Sequence, residues 1–257
     1  MLGWGAKRRL LIILSVAGLL LVALVLYAAP KIFKKPTCTD GKQNQEELGV
    51  DCGGVCARLC ENQYRDLLIT WQRAFAVTRD SYNVVVYAEN PNPRAGVKDM
   101  RYVVQLYDTK NILVAERSGR ASIPPQRIVP IFEGDIKTGV REPVRVEFVL
   151  ESSPEWTVAR TPAPDLRIVD QHLSDTQTIP LLTASIQNDS ENSPVRNMPV
   201  VVVLYDTSGN AGAASQTIVE QLPSLGSEEI LFSWPAPLGF IPARIEIVSL
   251  PYPGINY

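Results

Sequence analysis

Two stretches of this chain, 98 residues apart, carry nearly the same text. Asn90–Thr109, NPNPRAGVKDMRYVVQLYDT, lies without a gap over Asn188–Thr207, NDSENSPVRNMPVVVVLYDT. Nine of the twenty positions are identical: Asn90, Val97, Met100, Val103, Val104, Leu106, Tyr107, Asp108 and Thr109 all find their equals. Lys98 lies over Arg196 and Asp99 over Asn197. One inserted residue later, PVRVEF (143–148) lies over PARIEI (242–247). A chain that repeats itself at this interval is a tandem duplication of a unit of about 95 residues, a usual size for a β-sandwich. The expected boundaries are 61–159 for the first copy and 160–257 for the second. ARTPAPD, Ala159–Asp165, reads as the linker, held extended by its prolines.

The alternation inside the repeat sets the secondary structure. From Glu61 onward, short runs rich in Val, Ile, Leu and Tyr are separated by Pro, Gly, Asn and Asp, and no apolar stripe has helical spacing. The first copy is expected to form strands at Leu67–Ala76, Asn83–Glu89, Arg101–Tyr107, Leu113–Arg117, Ile128–Phe132 and Val144–Leu150. In a strand Val104 and Leu106 point one way and Gln105 and Tyr107 the other, so Val104 and Leu106 fit a core face. Asp108 and Asp206 then leave their strands, where a carboxylate bonds the backbone of a hairpin turn at Thr109–Asn111 or Thr207–Asn210. The pairs Arg145/Glu147 and Arg244/Glu246 alternate on one face and read as solvated positions with cross-strand partners.

These motifs, VQLYD (104–108) and VVLYD (202–206), with AENPN (88–92) just before the first, resemble the FxLYD-type domains of bacterial and archaeal envelope proteins. Val stands in both copies where that pattern has its aromatic residue. The resemblance covers most of residues 61–250. It implies an all-β, immunoglobulin-like sandwich in each copy, carries no catalytic residues, and places the chain in a cell envelope.

Upstream, Leu10–Ala29 is twenty residues without a charge. As a helix it is about 30 Å long, the thickness of a bilayer core. Pro30 is expected to end it, and Trp4 and Tyr27 flank it as interfacial aromatics do. A cleaved signal peptide competes with an uncleaved anchor. Its apolar core is normally shorter, and Tyr27 falls badly for a small-x-small cleavage site, which favours an anchor at 10–29 with a cytoplasmic tail at 1–9. Charge does not orient the helix: Lys7, Arg8 and Arg9 precede it, and Lys31, Lys34 and Lys35 follow it.

All four cysteines lie in the next segment, residues 37–60, spaced C-x13-C-x3-C-x3-C. Structural zinc sites usually pair two short knuckles across a longer loop. Here Cys38 stands apart and Cys52, Cys56 and Cys60 crowd together. An even number of cysteines in a short polar segment too small for a core reads as two disulfides, with zinc and free thiols as alternatives. Disulfides persist outside the cytosol, which puts the C-terminal copies on the extracytoplasmic face of the cell membrane. The segment also resembles a short motif of bacterial and archaeal surface proteins, C-x-D-G-x-x-N-x-x-E-x-x-x-D-C-G-G-x-C-x-x-C. It matches at Cys38, Asp40, Gly41, Asn44, Glu47, Asp51, Cys52, Gly53, Gly54 and Cys56 and departs in the spacing to Cys60. The motif implies an extracytoplasmic location and no particular activity. Asp40, Asn44, Glu47 and Asp51 are oxygen ligands of the kind Ca2+ takes, outside any EF-hand pattern; as turn caps beside Gly41 and Cys52 they need no ion.

No catalytic motif is visible. The single histidine, His172, lies over Ala74 of the first copy and reads as structural. Glu228 and Glu229 are strand neighbours that face opposite ways. Beyond residue 36 the chain holds 19 Lys/Arg against 27 Asp/Glu, a net charge near −8, which disfavours nucleic acid. The sequence therefore points to a non-enzymatic membrane protein: a structural, adhesive or protein-binding module. The alternatives are a calcium- or small-ligand-binding module, with ligands at the cysteine-rich segment or the loops around Asn90 and Asn188, and an accessory subunit of a larger membrane complex.

Overall fold

The computed structural model of the protein describes residues 4–32, 37–159 and 163–250; in the N-terminal helix the side chains of residues 6, 7, 10, 11 and 28–32 lie outside the described set. Residues 160–162 of the expected linker and the flanking Lys34 and Lys35 lie outside it too. The chain divides into two units, Met1–Cys56 and Ala57–Tyr257.

In the first unit, helix α1 runs Trp4–Ile32. It passes the expected stop at Pro30. A proline removes one N–H and crowds the carbonyl four residues back, a loss of one bond close to the end of a 29-residue helix. The apolar side chains along α1 are uncovered: Leu19 is 71% and Leu26 70% exposed. Among the described residues no helix is long and apolar enough to cross a membrane. The described side chains span only residues 12–27 of the uncharged run.

The second unit is all β. Its first copy holds β1 (Leu68–Thr78), β2 (Ser81–Glu89), β3 (Ala95–Tyr107), β4 (Leu113–Ile123), β5 (Ile128–Lys137), β6 (Arg145–Leu150) and β7 (Trp156–Val158). Its second copy holds β8 (Leu166–Ser174), β9 (Leu181–Asn188), β10 (Val195–Tyr205), β11 (Ala211–Leu222), β12 (Ser227–Ser233) and β13 (Arg244–Ser249). Each copy forms two sheets. In the first they are β1-β2-β5 and β4-β3-β6, with β7 also on β3; in the second, β8-β9-β12 and β11-β10-β13. The pairings are antiparallel. Every strand expected in the first copy is present. β3 starts six residues earlier than expected because its first residues, Ala95–Val97, pair with β7.

Period-2 alternation buries one face of each sheet between the two layers. Val84, Val86, Met100, Tyr102, Val104, Leu106, Ile123 and Ile131 lie in the first core, and Leu182, Ala184, Ile186, Met198, Val202, Leu204 and Phe232 in the second. Leu106 and Leu204 have no exposed surface. A third apolar cluster joins the copies. Phe75, Val85 and Tyr87 of the β1-β2-β5 sheet pack against Val201, Val203, Tyr205, Ala211 and Ala214 of the β11-β10-β13 sheet, with Trp71, Phe132 and Leu250 at its margin. The Tyr87 and Tyr205 hydroxyls meet there at 3.4 Å, and Asn83 Nδ2 donates to the Ala214 carbonyl at 3.2 Å. The two sheets involved are therefore apolar on both faces.

The tryptophans are spread over these parts. Trp4 opens α1 and is 80% exposed. Trp71 stacks on Tyr87, ring centroids 4.2 Å apart, at the junction of the copies. Trp156 stacks on Tyr64 at 5.2 Å inside the first core, and Trp234 is buried in the second. Trp156 lies on β7, and Ala57–Leu59 runs antiparallel beside it: Leu59 N–H donates to the Trp156 carbonyl and Val158 N–H to that of Ala57.

Candidate functional site

The cysteine-rich segment is closed by a Cys38–Cys56 disulfide, Cα atoms 5.7 Å apart, and Cys52 and Cys60 are disulfide-bonded as well; no cysteine is free. Around the Cys38–Cys56 bridge the acidic residues of the motif hold backbone. Asp51 accepts the N–H groups of Asp40 at 2.9 Å and Gly41 at 2.8 Å. Glu47, 6% exposed, accepts those of Asn44 and Asp51 on Oε2. Asp40 accepts the N–H of Lys42, the side-chain amide of Asn44 and, more weakly, the N–H of Thr37. The Asn44 amide bond in particular holds the Asp40 carboxyl below its usual range. Gly54 has φ +60°, and a Cβ there would sit 1.9 Å from the Glu46 carbonyl oxygen, so the motif admits only glycine.

The four candidate calcium ligands thus fall in one loop, with the carboxylates of Asp40, Glu47 and Asp51 turned toward N–H groups. Asn44 Oδ1 is buried without a partner among the described residues. Among the described residues, the metal-ligand types that do converge are Cys38 Sγ, Cys56 Sγ and a Glu47 carboxylate oxygen, mutually within 4.8 Å. Two sulfurs bonded to each other are not thiolates, and the thiolate is the form that binds a metal.

In the copies, the duplicated Tyr–Asp step has one geometry. Asp108 Oδ1 accepts the N–H of Lys110 and of Ile112, both at 2.9 Å; Asp206 Oδ1 accepts those of Ser208 and Asn210, both at 2.8 Å. The backbone bonds from Ile112 and Asn210 lower the two carboxyls. The preceding tyrosines carry the duplicated arginines on their rings: Arg145 lies 4.1 Å from the Tyr107 centroid and Arg244 3.5 Å from that of Tyr205. Each arginine also pairs with the glutamate two residues on, Glu147 or Glu246. The motif is a strand-end clamp: Asp closes the turn, Tyr and Arg couple adjacent strands.

Asn90 and Asn188 are each only 1% exposed. Asn90 Nδ2 donates to the carbonyls of Ala95 at 2.8 Å and Pro124 at 2.7 Å, and its Oδ1 accepts from Asn92 N and Nδ2. Asn188 repeats the arrangement on Ser193, Pro223 and Ser190. Asn92 extends the tie by exchanging two bonds with the backbone of Arg65. These loops, weighed from sequence as ligand sites, are tied shut by their own side chains.

Two arrangements escaped the sequence reading. Tyr102 is buried and donates to Glu133 Oε1 at 2.8 Å across the two sheets of the first copy. Burial raises the Glu133 carboxyl and raises the Tyr102 phenol well above its usual value. A Cβ at Gly119 would stand 2.1 Å from that carboxylate, so the pair needs the glycine. The second is the junction of Tyr87 with Tyr205, where burial again raises Tyr87 strongly. Comparing outward-facing positions between the copies is the signal that finds it. His172 is exposed on β8 and pairs with Thr183, whereas in the first copy Arg73 pairs with the equivalent Val85. Its structural counterpart is therefore Arg73, not Ala74, because a bulge at Asp170, φ 55°, displaces β8 by one residue.

No protein-family model matches the chain, and no curated protein matches it. Among solved structures, red sea bream transglutaminase is matched over 71% of this chain and 29% of that one, at 14% identity and a TM-score of 0.24. A likeness at that level carries no argument about fold or function.

Proposed function

We propose that the chain is a single-pass membrane protein, anchored through residues 10–29 with a cytoplasmic N-terminus, whose two FxLYD-like, immunoglobulin-like sandwiches (61–159 and 160–257) stand outside the cytosol. Its role there is structural, adhesive or protein-binding, without catalysis. The observation that carries this reading is the disulfide chemistry of the segment that follows α1: four cysteines, none free, in a loop whose carboxylates brace its own backbone. Such a loop keeps its bridges only in an oxidising compartment. The uncovered leucines and isoleucines of α1 support the anchor, since about 20 apolar residues need a non-aqueous surrounding. The tied loops at Asn90 and Asn188 and the Asp108 and Asp206 clamps offer stiffness and no open set of catalytic groups. That favours a spacing and docking role over calcium or small-ligand binding.

Protease added to intact spheroplasts tests the topology: the β copies should be digested, and complete protection of residues 61–257 refutes it. Affinity capture of the intact anchored protein, followed by mass spectrometry, identifies the partner. Recovery of one integral membrane assembly in fixed proportion would favour the accessory-subunit reading.

A further inference from the structure

The junction between the copies is heterologous. The first copy offers its β1-β2-β5 sheet and the second its β11-β10-β13 sheet. Each copy has an equivalent of the sheet the other uses, so the same contact could in principle repeat at both ends. A heterologous contact that does not close builds an open-ended stack.

The side chains at the equivalent positions decide whether it does. On the joined face of the first copy stand Val85, Tyr87 and Phe132; in the second copy the register places Thr183, Ser185 and Leu231 there. Tyr87 faces the buried Pro130 across the strands, whereas Ser185 faces the exposed Glu229. On the joined face of the second copy, Val203 pairs with Ala214, both buried; in the first copy Gln105 pairs with Glu116. Inward positions show no such change: Val84, Val86 and Ala88 meet Leu182, Ala184 and Ile186, apolar on both sides. Nor do the clamps, since Tyr107, Arg145 and Glu147 recur as Tyr205, Arg244 and Glu246. At these positions the copies differ in polarity where one is covered by the other and its twin is not, while Val201 and Tyr205 keep Val103 and Tyr107 as their twins.

We infer that these polar positions limit the stack to two sandwiches: Gln105 and Glu116 at one end, and Thr183, Ser185 and Glu229 at the other, bar a second copy of this chain from adding by the contact that joins the halves. Burying them against an apolar sheet would strip water from the carboxylates of Glu116 and Glu229 and from the Gln105 amide, whose oxygen accepts the Tyr107 hydroxyl. Edge and face charges serve the same end in other sheet proteins.

The test uses the full chain purified in detergent. One variant carries Thr183→Val, Ser185→Tyr, Glu229→Ala and Leu231→Phe; a second carries Gln105→Val and Glu116→Ala. Native mass spectrometry and sedimentation should find the parent and each variant monomeric, because each has at most one apolar outer face of a given kind. Mixed together, the two variants should form a one-to-one complex, on the order of tenfold tighter than any association of the parent. A parent that self-associates, or folded variants that do not pair, overturns the inference. Should either variant fail to fold, the reverse change carries the test: Val203→Gln with Ala214→Glu gives the covered face the side chains of its uncovered twin. It should split the unfolding of the β copies into two transitions. A single unchanged transition overturns the inference as well.

Discussion

Asn90→Ala isolates what the tied loops contribute. The native amide makes two donated bonds, to Ala95 and Pro124, and accepts two from Asn92, at a residue 1% exposed. Alanine takes their partner from both carbonyls and from the Asn92 N–H in a place water does not reach, while Asn92 Nδ2 keeps its bond to the Arg65 carbonyl. A stranded buried group costs about 1–3 kcal/mol, and part of this is recovered if the loop relaxes, so the loss should be about 2–4 kcal/mol. Asn90→Asp should be worse above the carboxylate range. It removes both donors and sets a negative charge against two carbonyl oxygens, and the penalty should ease in acid as the group is protonated. The assay is denaturant unfolding of the full chain in detergent, read by circular dichroism. If Asn90→Ala stays within about 0.5 kcal/mol of the parent, these bonds are not holding the loop and the structural account of Asn90 fails.

Leu106→Ala and Leu204→Ala, each at a fully buried position, should each cost about 2–4 kcal/mol in the same assay, as large-to-small core changes do. Asp108→Ala and Asp206→Ala should cost less, about 1 kcal/mol, since the N–H groups they release lie in exposed turns that water can reach. Loss of a partner or ion with stability intact would make the clamp a binding site instead. The pH profile has two opposed parts. Asp108 and Asp206 have lowered folded-state carboxyls, so their contribution is present above the ordinary carboxylate range and is lost as pH falls through the folded value. Glu133 is raised by burial, so it weighs against folding at neutral pH and less in acid. Glu133→Gln should therefore stabilise most near pH 7, with the gain fading toward about pH 4; a gain that grows in acid contradicts the assignment. Unreduced mass spectrometry should find the chain four hydrogens lighter than its sequence, and quantitative alkylation of four thiols would contradict the bridges.

Much of the fold was legible because it rests on local pattern. Period-2 runs placed the six strands of the first copy, and the duplication carried them to the second. The Asp108 turn followed from the chemistry of a carboxylate on the residue that leaves the strand. The third cluster was not legible in the same way. Val85, Tyr87, Val201 and Val203 alternate with core residues, and alternation alone marks them as a face turned to solvent. Only their contrast with Thr183, Ser185 and Gln105 signals a cover. β7 was missed because three residues after a serine- and proline-rich turn are too few to show a period. Within the candidate site, the disulfides were readable from the even number of cysteines in a polar segment too short for a core. Asp40 and Asp51 were read as turn caps with calcium as the alternative, and the choice stayed open because a carboxylate that braces N–H groups and one that binds an ion look alike in a sequence.

The scattering of the tryptophans turns the molecule into its own set of optical probes. Indole emission shifts to the blue as water is excluded and to the red when it enters, and each of the four rings samples a different place. Trp71 watches the seam between the copies, Trp156 the first core with the segment leading into it, Trp234 the second core, and Trp4 the start of α1. Replacing any three by phenylalanine leaves a chain whose fluorescence spectrum reports on one of these places alone. Separation at the seam, loosening of either interior and a change of medium around α1 thereby become four distinguishable colours of light.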